Sequence, residues 1–405
     1  HGDSFRASVG AAAGNRPIML LGHRDTVFPT GEVAKRPFRI EGDRAYGPGV
    51  ADMKAGLVLN AFVIAAFKKF GGAPAPLIAL FTGDEEIGSP TSRPIIENAA
   101  REARLVFNSE PGRASGNVVT GRKGGVFMRA TVEGVAAHSG GNYEKGRSAI
   151  EELARKIQAW HKITDLEAGI TVNVGLIEGG QSVNTVAPHA TAQIDLRYIA
   201  PAQRDYAVGA IREIAETCTV EDTSGTLEIM SEFNPLNQTP DSAALFEHYV
   251  SAARDVGLNI GGEFTGGCAD SGFTAAVGTP TICATGPVGG NAHSPEEYLE
   301  VYSIVPRAQA MATAIIGAGP LMRREAGLFR GRGGEGFLEV LTLLAALGAE
   351  ALEDLQLGAR LLDAAGLDIK FTEVFAGALV VWIDLERALI VLVGGLEVAA
   401  LALAE

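Results

Sequence analysis

The sequence predicts an α/β fold, and three observations carry that expectation. Short apolar runs at 17–21, 77–81 and 105–107 have the length and composition of buried parallel strands. A helix-like stretch at 55–70 lies between the first two. Each run ends at or just before a histidine or an acid, at the end where parallel sheets open toward a crevice.

The first run leads into G-H-R-D-T-V (22–27). A lone histidine after a strand is as readily structural as a ligand, but Asp25 stands two residues on. Its carboxylate could accept the other imidazole N–H of His23, fixing the tautomer and raising the ring's basicity toward a metal. In Y-G-P-G-V-A-D-M-K-A-G (46–56), Asp52 follows a Gly-Pro-Gly turn and precedes the helix-like stretch. It can be a helix N-cap. It can also bridge two cations with its two oxygens, which two-metal sites use to hold ions about 3.5–4 Å apart.

The second run ends at F-T-G-D-E-E-I-G-S (81–89), where Asp84, Glu85 and Glu86 are adjacent and repel one another. Either this is an exposed acidic loop, or a cation neutralises the cluster with Glu86 as ligand and Glu85 as general base. The third run ends at F-N-S-E-P (107–111), which carries Glu110, and N-A-H-S-P-E-E-Y (291–298) supplies His293. Together His23, Asp52, Glu86, Glu110 and His293 form a donor set for two zinc ions sharing one carboxylate. That constellation points to a metallohydrolase.

These motifs, in this order, closely resemble the M20 family of co-catalytic zinc peptidases and deacylases, and within it the glutamate carboxypeptidase branch, over about residues 2–319. The resemblance implies a mixed-sheet catalytic domain with helices on both faces and a smaller α/β lid that dimerises. Expected boundaries are 1–121 and 233–320 for the two parts of the catalytic domain and 122–232 for the lid. It implies that His23 and Glu110 bind one Zn2+, Glu86 and His293 the other, that Asp52 bridges, and that Glu85 is the base; Co2+ or Mn2+ would suit the same donors.

In the lid, G-V-A-A-H-S-G (134–140) carries His138, which alone reads as a surface residue; the resemblance sends it toward a partner subunit's active site to stabilise the oxyanion. G-Q-S-V-N-T-V-A-P (180–188) and I-D-L-R-Y (194–198) offer Asn184 and Arg197 to substrate. Arg197 suits a substrate carboxylate because a guanidinium fork binds one bidentately, the alternative being a surface salt bridge on an alternating strand. T-G-G-C-A-D-S-G-F (265–273) looks like the family's substrate-binding turn, with Gly266 and Gly267 allowing close backbone approach. Where the family usually has Thr or Ser before the aspartate, this chain has Ala269. Arg122 and Lys123 lie near the expected lid hinge, either as a solvated basic turn or facing an anionic substrate.

Composition narrows the partners. With 34 basic and 48 acidic residues among 405 the formal charge is −14, which argues against nucleic acid. Cys218, Cys268 and Cys283 have neither disulfide-framework nor zinc-site spacing. The run at 388–396 is too short, and too close to charged residues, for a membrane span.

The chain starts near the strand before the first metal motif, without the helices that the family places ahead of it and without a signal-peptide pattern. Cytoplasm is the default compartment; periplasm or secretion follows if an export signal is missing. Residues 321–405 form an atypical tail in which 337–347 and 351–365 have helical apolar spacing and 369–375 reads as a strand. The expectation is that 337–375 replaces the absent N-terminal helices and strand. For function, the leading expectation is a carboxypeptidase releasing a C-terminal amino acid, glutamate among the candidates, from a peptidyl or N-acyl substrate. An N-acyl amino acid deacylase or dipeptidase is the alternative, and a metal-free binding or scaffold protein a remote third.

Overall fold

The structure, a computed structural model, describes residues 3–10, 16–70 and 72–319. Its largest sheet has seven strands in the order Phe5–Val9, Leu77–Thr82, Ile18–His23, Leu105–Asn108, Thr281–Cys283, Val118–Arg122, Gly262–Thr265. The four from Leu77–Thr82 to Thr281–Cys283 are parallel. Phe5–Val9 and Val118–Arg122 run antiparallel to their inner neighbours, so the sheet is mixed. All three apolar runs read from the sequence are adjacent strands of the parallel centre, and their carboxyl ends therefore share one edge.

Alternate side chains leave each strand on opposite faces. Ile18, Leu20, Leu105 and Phe107 pack on one side with Leu59, Val63, Tyr249 and Met311, which belong to the helices Ala55–Lys69, Pro240–Asp255 and Ile304–Gly317. Met19, Leu21, Leu80 and Val106 pack on the other with Ile96 and Phe273, from Arg93–Glu102 and Ser271–Ala276. By length and composition alone Val50–Lys69 would cross a membrane. Its apolar character has another cause here, because most of Ala55–Lys69 is enclosed between the sheet and neighbouring helices.

A second sheet, wholly antiparallel, has the order Ser224–Phe233, Gly124–Glu133, His189–Tyr198, Thr171–Gly179. Val126, Met128, Ala130 and Val132 alternate inward against Trp160 and Ile211 of the helices Ala149–His161 and Pro201–Glu216. This is the smaller α/β unit. A third, small sheet runs Gly289–Gly290, Tyr298–Glu300, Arg44–Tyr46, Arg39–Glu41. Pairing of Tyr298 with Tyr46 brings the 291–297 loop beside the chain entering 47–52.

Helices thus lie on both faces of the large sheet among the described residues. The reading of 337–375 as a replacement for N-terminal elements falls outside them.

Candidate metal centre

In-register pairing of Ile18–His23 with Leu77–Thr82 and Leu105–Asn108 sets His23 opposite Thr82 and Leu21 opposite Asn108. The residues just beyond these ends, Glu85, Glu86 and Glu110, therefore converge on His23. Helix Ala55–Lys69 holds the edge together from one side. Its buried Asn60 donates to Leu21 O (3.2 Å) and accepts the Ser109 hydroxyl (2.6 Å). Gly56 permits this approach, since a Cβ there would fall 2.0 Å from Ser109 O.

Asp52 is not a helix N-cap. It lies in an irregular turn ahead of the helix, with non-helical backbone at φ −107° and ψ 96°. Its two oxygens face two different imidazoles: Oδ1 is 3.2 Å from His23 Nε2 and Oδ2 is 3.3 Å from His293 Nε2. On the first side Glu110 Oε1 lies 3.8 Å from His23 Nε2; on the second, Glu86 Oε2 lies 3.2 Å from His293 Nε2. Glu85 Oε2 stands 3.9 Å from His23 Nε2, so it too reaches the cluster. Asp25 places its Oδ1 3.4 Å from His23 Nδ1, while its backbone oxygen is nearer, at 3.1 Å.

Three neighbouring acids looked mutually repulsive in the sequence. The structure separates them by turning Asp84 away: its carboxylate accepts Thr91 N–H (2.8 Å) and Ser92 N–H (3.2 Å) and the hydroxyls of both. The 84–92 loop is thereby wrapped around one carboxylate, leaving Glu85 and Glu86 to the crevice.

Charge in the centre is concentrated and poorly solvated. Burial, with the charges of Glu110, Asp270 and Glu86 adding to it and His23 opposing, holds the Glu85 carboxyl well above its ordinary range. Burial and the Asp52 charge push Glu110 to about 7, and burial takes Asp270 to about 6. Hydrogen bonds to Asp52 and Glu86 raise His293 to about 10. Buried acids of this density call for positive charge. Glu86 Oε1 and Glu110 Oε1 are buried without a hydrogen-bond partner, and ligand atoms of His23, Asp52 and Glu86 lie within 4.8 Å of one another. Imidazole and carboxylate donors so arranged fit divalent metal ions.

The remaining expected site residues are placed differently. His138 is exposed at the lid, and its Nδ1 accepts the N–H groups of Gly140 and Gly141 (both 3.1 Å), which puts its proton on Nε2. Asn184 is beside it, its backbone oxygen accepting Ser139 N–H at 3.0 Å. Among the described residues neither is hydrogen-bonded to the acidic cluster. The Arg197 fork is engaged by Asp195 (2.7 and 3.1 Å) on its own strand, while Nη1 donates to Cys268 Sγ at 2.7 Å. It joins the lid to the 265–273 turn, which a plain surface salt bridge would not do.

Gly266 and Gly267 are exposed and lack positive φ, and Gly266 has open space where a Cβ would sit; no local strain demands glycine there. Ala269 packs in a small core with Val119, Leu236 and Cys283. Arg122 is no solvated turn. It is buried, donating to Cys283 Sγ and to the carbonyls of Gly267 and Cys268, each at 3.2 Å. Sequence reasoning also missed Asp270, which accepts Thr82 Oγ1 at 3.2 Å and Ser89 Oγ at 2.5 Å, and Glu297, within the histidine motif already quoted. An acid four residues after His293 was the available signal.

Comparison with known proteins gives the family. Residues 19–317 match the model of peptidase family M20/M25/M40. Carboxypeptidase G2 of Pseudomonas sp. (strain RS-16) is 30% identical over 307 residues, 75% of this chain and 74% of that protein. Acetylornithine deacetylase of Edwardsiella ictaluri is 28% identical, over 74% of this chain and 79% of its own. Among solved structures, the M20 family metallo-carboxypeptidase Sso-CP2 from Sulfolobus solfataricus shares the fold at TM-score 0.60 and 17% identity, covering 77% of this chain and 87% of that one. The aminopeptidase PepT from Bacillus cereus does so at TM-score 0.60 and 22% identity, covering 77% and 84%. With its family match spanning most of the chain and its catalytic-plus-lid architecture, this protein belongs to peptidase family M20/M25/M40 and is a hydrolase of the metallopeptidase type.

Proposed function

We propose that this chain hydrolyses an amide bond next to a free carboxylate, releasing a C-terminal amino acid from peptidyl or N-acyl substrates, with glutamate the first to test. The carrying observation is the division of Asp52 between two imidazoles on opposite sides of one carboxylate. On this reading His23 and Glu110 hold one Zn2+ and Glu86 and His293 the other, with Co2+ or Mn2+ suited to the same donors. Two such cations, when bound, lower the pKa of water and polarise a carbonyl.

Glu85 acts as the base that takes a proton from the attacking water and returns it to the leaving nitrogen. Arg197 holds the substrate carboxylate, which must share or displace Asp195 at the fork. His138, with its proton on Nε2, has a donor free for an oxyanion in a partner subunit's site. The lid boundaries are taken as 122–232 between the two catalytic segments 1–121 and 233–320. Support for a homodimer comes from the lid's edge strand Thr171–Gly179, where Leu176 and Ile177 are 61% and 64% exposed beside an open backbone ladder.

The likeness to carboxypeptidase G2 favours glutamate release; that to acetylornithine deacetylase favours an N-acyl amino acid deacylase as the second reading. Metal analysis of the purified chain, followed by product identification on N-acyl-glutamates, N-acetyl amino acids and dipeptides, tests both. Cleavage of none of the three classes by the metal-loaded chain would refute the proposal.

A further inference from the structure

We infer that Glu297 is a positioning residue for the metal centre, clamping the Asp52 turn to the loop that carries His293. The inference rests on the two-metal reading above.

Glu297 is fully buried, and its carboxylate accepts three backbone N–H groups from one turn: Gly49 on Oε2 and Ala51 and Asp52 on Oε1, each at 2.9 Å. Three donors converging on one carboxylate hold the turn on both oxygens, so the Asp52 backbone cannot rotate without breaking charge-assisted hydrogen bonds. Lys54 braces the same turn from its other end, donating to Pro48 O at 2.7 Å. Four residues before Glu297 in the same loop is His293, whose Nε2 meets the Asp52 carboxylate. The chain thus contacts Asp52 twice, once through its side chain and once through its backbone, and each contact fixes the other's angle. Gly289, in the adjoining strand, is held just as close, a Cβ there falling 2.5 Å from Ala51 Cβ. Outer partners that orient ligands typically alter metal affinity by about 10–100-fold when lost.

Glu297→Gln tests this with the whole of this chain and Co2+ as probe, reading affinity by chelator competition and site geometry by visible absorption. The amide can still accept Ala51 and Asp52 on its oxygen, but it sets an NH2 against Gly49 N–H. A loss of about 10–100-fold in affinity for at least one of two equivalents, with a changed Co2+ spectrum, is the expected result. Glu297→Asp, which keeps the charge but is too short for all three donors, is measured alongside in case the glutamine variant does not fold. Glu296→Gln, removing an exposed neighbouring charge, should bind as wild type does. Two equivalents in the wild type and unchanged affinity in a folded Glu297 variant overturn the role of Glu297. Fewer than two equivalents in the wild type overturn the two-metal reading beneath it.

Discussion

The Asp25 carboxylate accepts the backbone N–H of Glu86 at 2.9 Å, tying the loop after one central strand to the loop after its neighbour. Its other oxygen lies toward His23 Nδ1, so one side chain orients groups on both sides of Asp52. Asp25→Ala should therefore weaken metal binding by about 10–100-fold, the usual range for such outer partners. Chelator competition measures it, and wild-type affinity in the variant would show that the backbone oxygen of Asp25 alone suffices to orient His23.

Glu85 and Asp52 should separate chemistry from binding. Glu85→Gln retains shape but cannot accept a proton, so metal content should stay near normal while kcat falls by about 10²–10⁴-fold. Asp52→Ala removes the only carboxylate that meets both imidazoles among the described residues, and should lose metal and activity together. An unchanged kcat in the glutamine variant would move the base role to another group.

Arg197→Met should raise KM for carboxylate-bearing substrates, with the larger effect on KM than on kcat. A hydrogen-bonded charged contact is worth about 1.5–3 kcal/mol, or roughly 10–150-fold. Asp195→Asn is the companion variant, because Asp195 occupies the fork in the structure. Steady-state kinetics on a substrate and its carboxamide analogue decide the matter; equal losses on both would assign Arg197 to joining lid and turn rather than to substrate.

The lid carries a buried ion pair, Lys156 Nζ to Glu152 Oε1 at 3.0 Å, with both side chains at most 2% exposed. Burial would raise the Glu152 carboxyl, but Val220 N–H, Lys156 and Thr219 outweigh it and lower it below its usual value. A depressed folded pKa means the stabilisation is complete above the unfolded value, about 4.3, and is lost as pH falls through the folded one. Glu152→Ala should cost up to about 3–5 kcal/mol at pH 7, since the buried Lys156 charge loses its carboxylate and keeps only the carbonyls of Ile214 and Thr217, each at 2.7 Å. Urea unfolding of the variant should also depend less on pH between 7 and 3 than that of the wild type. Parallel pH profiles would contradict the assignment.

If the edge strand Thr171–Gly179 pairs with a second copy, Leu176→Lys combined with Ile177→Lys should yield a folded monomer by light scattering. Activity should fall as the dimer is lost, because His138 would then have no partner site to serve. A dimer that survives both lysines places the interface elsewhere.

Much of the centre was legible because its signals are local. An apolar run that stops at a histidine or an acid announces a strand end carrying a polar group, and 17–21, 77–81 and 105–107 became adjacent parallel strands. His23, Glu86 and Glu110 followed from that pattern together with the motifs around them. Asp52 stayed ambiguous in sequence, since a turn before a helix serves an N-cap equally well. Only its backbone angles and its two imidazole neighbours settled the geometry.

By itself the sequence determined the fold class, the strand ends and the donor types, because hydrophobic spacing and residue chemistry act over a few positions. Tertiary structure decided the rest: that Asp84 turns away to its own loop, that Arg122 is buried against Cys283, that Arg197 is already paired, and that Glu297 grips the Asp52 turn. The last of these spans 245 residues of chain. A hydrogen bond depends on separation and angle in space, to within a few tenths of an ångström, and no spacing along the chain encodes those until the sheets have brought its loops together.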